Sequence, residues 1–372
     1  MAKANSTSPT QAKDIPRNTN LDLIRTFALL MVLTVHTFLN NGYYSTPVTT
    51  PAAIAGTCVR QFAMVCVPLF LLLTGYLQGT KELTLSKKYL CKLTKVLVPY
   101  AIITVLTYGV MHLTGGLGDR TFLSMLLGCE DNGYSWYIEM YVGLYLLMPF
   151  LNARWRHLPD KSAKSKVILA FLVVSFAPTL IRPFGISVPD YWTYLYPLAY
   201  YLTGAYLREY GLSFTSKRCA IIVAWSSALH FAMAIAFFRD DMFSPNNGYN
   251  NLFCFINAVM VFTIMLRIDT NKMKERNRKF WAMVADAVLP AYLVSYITDA
   301  FLYTVWCSLI PSVDGRIIFA APVILVSAIV SLCVGLGISK TSRLARKLFV
   351  KTVKIRQIKS HTKNLLRRIQ HG

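Results

Sequence analysis

Charge is scarce in this 372-residue chain: 15% of its residues are Asp, Glu, Lys or Arg, against 55% that are hydrophobic. Soluble domains carry about a quarter charged residues, so this balance excludes an ordinary water-soluble fold. Segments of about ten residues with alternating polarity are missing, which excludes a transmembrane barrel. The eight cysteines include no C-x-x-C pair and no histidine at ligand spacing, so neither a zinc site nor a disulfide framework is expected, and no metal is called for. Cys129 and Cys307 fall on the same expected side of a membrane, but their spacing demands no bond. No small-residue cleavage site follows the basic, Ser/Thr-rich start, so no cleavable signal peptide is expected. An internal repeat of the kind many transporters carry is not evident.

What the chain does have is apolar length. Its hydrophobic residues gather into about ten runs, near 23–40, 54–78, 96–114, 134–151, 167–182, 192–207, 219–238, 250–267, 281–306 and 317–338. An α-helix needs roughly 17–25 residues to cross a bilayer, and only helices or closed barrels satisfy their backbone groups in lipid. The expected fold class is therefore all-α, a polytopic transmembrane helical bundle of about ten spans.

The formal charge of +22 invites a nucleic-acid reading, but its distribution argues against one. With the N-terminus inside, thirty-three Lys and Arg fall in the inner segments, against Arg120, Arg182, Arg239 and Arg316 outside. That asymmetry orients the bundle with both termini cytoplasmic and sets its basic face against anionic membrane lipids. The expected layout is a disordered cytoplasmic N-terminus over 1–19, a membrane domain over 20–339 and a basic amphipathic cytoplasmic tail over 340–372. That tail has eleven Lys and Arg and no Asp or Glu, with scattered apolar residues suited to the inner leaflet.

Ionisable residues inside apolar runs are expensive and point to function. The first run, NLDLIRTFALLMVLTVHTFLN, carries Arg25 and His36. Eleven residues at about 100° each return them to nearly one helical face, roughly 16 Å apart. Asp22 precedes Arg25 by three residues and can hold its guanidinium. A snorkelling arginine and a packed histidine are the ordinary reading of such a pair. Glu139 lies inside the fourth run with no basic neighbour in sequence, so it calls for a cavity, a partner or neutralisation. Asp286 and Asp299, in the ninth run, are possible partners for Arg25 or for a cytoplasmic lysine. Lys88, Lys92 and Lys95 repeat at helical spacing, which suits a lipid-anchoring face or a phosphate-bearing ligand from the cytoplasm. Trp136, Tyr137, Tyr141 and Tyr145 read first as an interfacial aromatic belt. His230, His112 and His157 read as ordinary packed or surface histidines.

Taken in order, several of these stretches resemble the membrane acyltransferase-3 family. Leu21-Asp22, Arg25 and, after ten further residues, His36 resemble its first-span hallmark. Phe70 with Thr74-Gly75-Tyr76 resembles its second-span pattern, and KLTKVLVPY resembles a paired basic motif, with Lys92 and Lys95 where Arg is more usual. SWYIEMYVGLYLLMPFLN, with Trp136 and Tyr137, resembles the fourth-helix segment. ADAVLPAYLVS resembles a late motif that often ends in His, here replaced by Ser295. The resemblance spans about residues 20–340 and implies a multi-pass protein of a bacterial-type plasma membrane. It implies acetyl-CoA or a related acyl-CoA as a donor used from the cytoplasm, and a hydroxyl of a cell-envelope glycan or lipid-linked sugar as acceptor.

Such O-acetyl transfer needs a base for the hydroxyl proton, a grip on the donor and stabilisation of charge on the thioester oxygen. His36 is expected as the base, since histidine suits that role near neutral pH; an acyl-His36 intermediate is the covalent variant. Arg25, Lys92 and Lys95 are expected to bind the donor's phosphates, with Asp22 orienting Arg25. Tyr76, Trp136, Tyr137 and Glu139 are expected as substrate or supporting residues, Glu139 by orienting the imidazole or binding acceptor hydroxyls. The competing class is a transporter or flippase that uses Arg25, His36 and Glu139 as an intramembrane relay.

Overall fold

The computed structural model describes residues 17–129, 132–186, 189–237 and 248–370, with side chains through residue 348. It is all-α, with no strand among the described residues. The helices are α1 (Thr19–Asn40), α2 (Pro51–Ala63), α3 (Cys66–Gln78), α4 (Lys87–Leu90), α5 (Thr94–Leu113), α6 (Phe122–Leu127) and α7 (Trp136–Arg156). They continue as α8 (Lys161–Ile181), α9 (Tyr196–Tyr210), α10 (Ser216–Phe237), α11 (Leu252–Leu266), α12 (Glu275–Leu309), α13 (Val313–Ile318) and α14 (Ala320–Gln370).

Each of the ten apolar runs is helical, but not in equal lengths. Among the described residues, seven segments are long and apolar enough to cross a membrane: α1, α2 with α3, α4 with α5, α8, α10, α12 and α14. The 15-residue helices α9 and α11 rise only about 22 Å each. Both are buried along most of their length, the setting in which short membrane helices are tolerated.

Caps start the helices where the sequence supplies them. The Asn18 side chain accepts from the Asn20 amide, with Asp22 in the first turn of α1. Thr50 caps α2 ahead of Pro51, and Asn251 accepts from the Phe253 and Cys254 amides at the start of α11. These groups satisfy orphan N–H donors, and an acidic first turn complements the helix dipole. The second span breaks at Met64–Val65 rather than at Pro68. Cys254 Sγ reaches the Met64 carbonyl at 3.3 Å and satisfies the broken backbone inside the bundle.

α1 is the central post, packed by α2, α3, α11, α12 and α14. The tightest crossing joins α3 and α9. A Cβ on Gly75 would lie 1.9 Å from the Tyr201 carbonyl oxygen, and one on Gly204 would lie 2.2 Å from the Leu72 carbonyl oxygen. Only glycine allows two backbones so close, and small residues drive helix association in lipid.

One end of the bundle is strongly basic. Arg17 donates to Asp22 at 2.7 and 3.0 Å and to Asp286 of α12 at 2.9 Å, and Arg343 of α14 lies 3.7 Å from Asp286. The hydrogen bond to Asp22, set against partial burial, raises the Arg17 pKa. Asp286 thus partners Arg17 and Arg343 rather than Arg25. α14 continues without a break through residue 340 to Gln370, so no joint separates the last span from the basic tail. Of the N-terminus expected to be disordered over 1–19, residues 1–16 lie outside the described residues, while Arg17 is paired with Asp22 and α1 already begins at Thr19. The tail's side chains beyond residue 348 also lie outside the described residues. Among the described residues all eight cysteines are free; Cys129 is buried and unpaired with Cys307.

Candidate active site

Two facing stripes build the site. On α1, Arg25, Val32 and His36 recur at helical spacing; on α12, Ala285, Val288, Tyr292, Ser295 and Asp299 do the same. Between α1, α3, α7 and α12 lies a cavity of about 280 Å³. Arg25 and Gln78 line it toward the basic end, Val32, Leu73 and Val288 along its length, and Phe70, Tyr137 and Tyr292 at its aromatic end. A second hollow of about 330 Å³ shares Arg25, Leu77 and Ala285 and is bounded by Arg17, Asp22 and Asp286. Arg25 therefore sits where the two hollows meet. Its Nη1 donates to Asp22 Oδ1 at 2.7 Å, and the Asp22 side chain is 1% exposed. The expected Asp22–Arg25 pairing is present, with Arg17 as a second cation on the same carboxylate.

Beyond the aromatic end is the imidazole. His36 is buried one turn before the end of α1. Its Nδ1 is enclosed and lies 3.6 Å from Asp299 Oδ2, outside hydrogen-bond range. Among the described residues its Nε2 makes no hydrogen bond. The ring stacks on Tyr134, with centroids 3.5 Å apart, and its centroid lies 6.2 Å from that of Tyr292. Asp299 is fixed in turn: Ser327 of α14 donates to its Oδ1 at 2.7 Å and the Tyr134 hydroxyl to its Oδ2 at 3.2 Å. Asn40 Nδ2 donates to the His36 carbonyl at 2.7 Å and to the Tyr134 hydroxyl at 2.8 Å, while the Tyr292 hydroxyl donates to the Tyr134 carbonyl. Two donors satisfy the Asp299 carboxylate, so it is not an isolated buried charge, while the buried His36 Nδ1 beside it has no hydrogen-bond partner among the described residues.

The other sequence candidates divide. Tyr137 lines the cavity; Trp136 stacks on Tyr249, with centroids 5.7 Å apart, and packs against Tyr137. Tyr76 is half-buried beneath Arg208. Lys92 and Lys95 are exposed at the basic end. Glu139 corrects the expectation for the imidazole's orienting partner: it is exposed in the first turn of α7, and Asp299 stands beside His36 instead. A carboxylate at a helix N-terminus is favoured by the dipole, which accounts for Glu139 without a cavity. Ser295 is fully buried and donates to the Tyr292 carbonyl of its own helix at 2.7 Å. Asp299 lies one turn further along the same face. Sequence reasoning noticed Asp299 but not its partner, because no spacing rule links two different helices; Ser327 and Tyr134 carried no signal. Among the described residues, no group of three or more His, Cys, Asp or Glu could hold a metal.

The membrane bundle thus holds an apolar cavity lined from Arg25 to Tyr292, with the His36 ring centroid 6.2 Å from that of Tyr292. A family model described as an acyltransferase domain matches residues 18–339. The chain belongs to this acyltransferase-3 family and is a membrane acyltransferase. No curated protein and no solved structure matches it.

Proposed function

We propose that the protein is an O-acyltransferase that moves an acyl group, acetyl in the simplest case, from cytoplasmic acyl-CoA to a hydroxyl of a cell-envelope polysaccharide or glycolipid. The observation that carries this reading is the pairing of an enclosed His36 with a buried Asp299 just past the end of a cavity that starts at Arg25. A pantetheine arm lying in this cavity spans the roughly 16 Å between Arg25 and His36 and is wrapped by apolar and aromatic side chains. Arg25, braced by Asp22, holds the donor, with Lys92 and Lys95 toward the cytoplasm.

In the reaction His36 Nε2 takes the proton of the acceptor hydroxyl while its oxygen attacks the thioester carbonyl carbon. The tetrahedral intermediate collapses, the C–S bond breaks, and the thiolate of CoA takes the proton back from the imidazolium. The products are the ester and free CoA. Asp299, beside Nδ1, orients the ring and balances its transient positive charge, as a buried carboxylate does for a general-base histidine elsewhere. Membership of an acyltransferase family favours this enzyme reading over an intramembrane relay for transport.

Inverted membranes incubated with radiolabelled acetyl-CoA and envelope glycan test the proposal. Alkali-labile label is expected on the glycan with the wild type and not with His36→Ala at equal expression. Equal labelling by the two proteins would remove His36 as the base.

A further inference from the structure

The turn that leaves α3 gathers a second set of cations. Gln78 ends α3 and lines the cavity beside Arg25, and its side-chain oxygen accepts from Lys81 Nζ at 3.3 Å. The turn is pinned by Asn152, which is completely buried. Asn152 Nδ2 donates to the Gln78 carbonyl at 2.7 Å and to the Lys81 carbonyl at 2.9 Å, and its Oδ1 accepts from the Tyr201 hydroxyl at 2.7 Å. Arg208, in the last turn of α9, donates to the Tyr76 hydroxyl at 3.3 Å and lies 5.0 Å over that ring. The close contacts of Gly75 with Tyr201 and of Gly79 with Ala205 lock α3 against α9. Lys81 and Arg208 are thereby held in register on a rigid frame.

These cations lack counterions. Partial burial and then the charges of Lys92 and Arg208 lower the Lys81 pKa. Among the described residues no carboxylate lies within ion-pair distance of Lys81, Lys92 or Arg208. The two acids nearest in sequence are engaged elsewhere, Glu82 with Arg156 at 3.3 Å and Glu209 with Lys164 at 2.5 Å. Like charges brought together from a turn and a neighbouring helix repel unless an anion sits among them, and phosphate is the anion that Lys and Arg serve best.

We propose that Lys81 and Arg208, held together at the end of α3, seat the phosphates of the donor's nucleotide at the cavity mouth, while its thioester arm passes Gln78 into the cavity. This rests on the acyl-CoA reading above and assigns the nucleotide end to residues outside the first-span motif. Arg25, deeper and shared with Asp22, then meets the amide carbonyls of the arm.

Equilibrium binding to the purified full-length protein in nanodiscs of zwitterionic lipid tests this. Radiolabelled acetyl-CoA is expected to bind and to be displaced by adenosine 3′,5′-bisphosphate. Lys81→Met and Arg208→Gln, both exposed at the surface, are expected to weaken acetyl-CoA roughly tenfold each, the size of one charge-assisted hydrogen bond. S-acetyl-pantetheine, which lacks the nucleotide, should lose less than about twofold in the same variants, and Lys81→Arg and Arg208→Lys should restore most of the acetyl-CoA affinity. Unchanged acetyl-CoA affinity in both variants overturns the proposal. So does a loss seen only after anionic lipid is added, which would make the cluster a headgroup site. If the wild type binds neither donor, the acyl-CoA reading itself falls and takes the proposal with it.

Discussion

Replacing Asp299 with Asn keeps the shape of the network and removes its charge. The Asn side chain can still accept from Ser327 or Tyr134, so the change leaves no large cavity. What it loses is the attraction between the carboxylate and the imidazolium that forms as His36 takes a proton. At the observed 3.6 Å and an effective dielectric near 20, two unit charges attract by about 4.6 kcal/mol. Ser327 and Tyr134 already draw on the same carboxylate, so roughly half of that, about 2–3 kcal/mol, remains for the imidazolium. The expected loss in kcat is therefore about 30- to 150-fold. Because the interaction strengthens only as charge develops, KM for the donor should barely move. Steady-state transfer from acetyl-CoA, normalised to monodisperse protein by fluorescence-detected gel filtration, reads both numbers. Ser327→Ala, which removes one of two donors to Asp299, should give a smaller loss of about tenfold or less. A wild-type kcat in Asp299→Asn, or a loss carried by KM alone, would refute the claim that this carboxylate supports the imidazole.

Other outcomes follow from the same geometry. Arg25→Ala should raise the donor KM at least tenfold, because among the described residues Arg25 is the cation that lines the inner cavity, whereas Arg17 bounds only the outer hollow; an unchanged KM would leave it as a partner of Asp22 alone. Gly75→Ala should cost about 1–3 kcal/mol or more, because its Cβ would enter the Tyr201 carbonyl; a lowered melting midpoint in detergent, with Gly109→Ala as the open-space control, checks it. Exposed Cys91 at the basic end should react with an impermeant maleimide in inverted vesicles and not in intact cells, if the basic face is cytoplasmic.

The legible part of the fold was whatever lipid imposes locally. Run length and the absence of strand alternation made the bundle readable, and the cap residues at 18, 50 and 251 mark where its helices begin. The break at Met64–Val65 was not readable, because it is stabilised by Cys254, nearly two hundred residues away, rather than by the nearby Pro68. Within the site, Asp22 with Arg25 could be read because the two are three residues apart on one helix. Asp299 with His36 could not, because the pair forms only when α12 is laid against α1. Glu139 misled for the opposite reason: a carboxylate inside an apolar run looks buried in sequence, yet the first turn of a helix can hold it at the surface. Lys81 and Arg208 were visible only as loop charges, since the α3–α9 glycine contacts that gather them leave no periodic signal.

A structure of the protein with a non-hydrolysable acetyl-CoA analogue bound tests the central claim most directly. The account expects the arm to pass Arg25 and the carbonyl carbon to lie within about 3.5–4.5 Å of the space in front of His36 Nε2, close enough for a hydroxyl between them. An analogue held elsewhere, with the Arg25-to-Tyr292 cavity closed or filled by lipid, would contradict it.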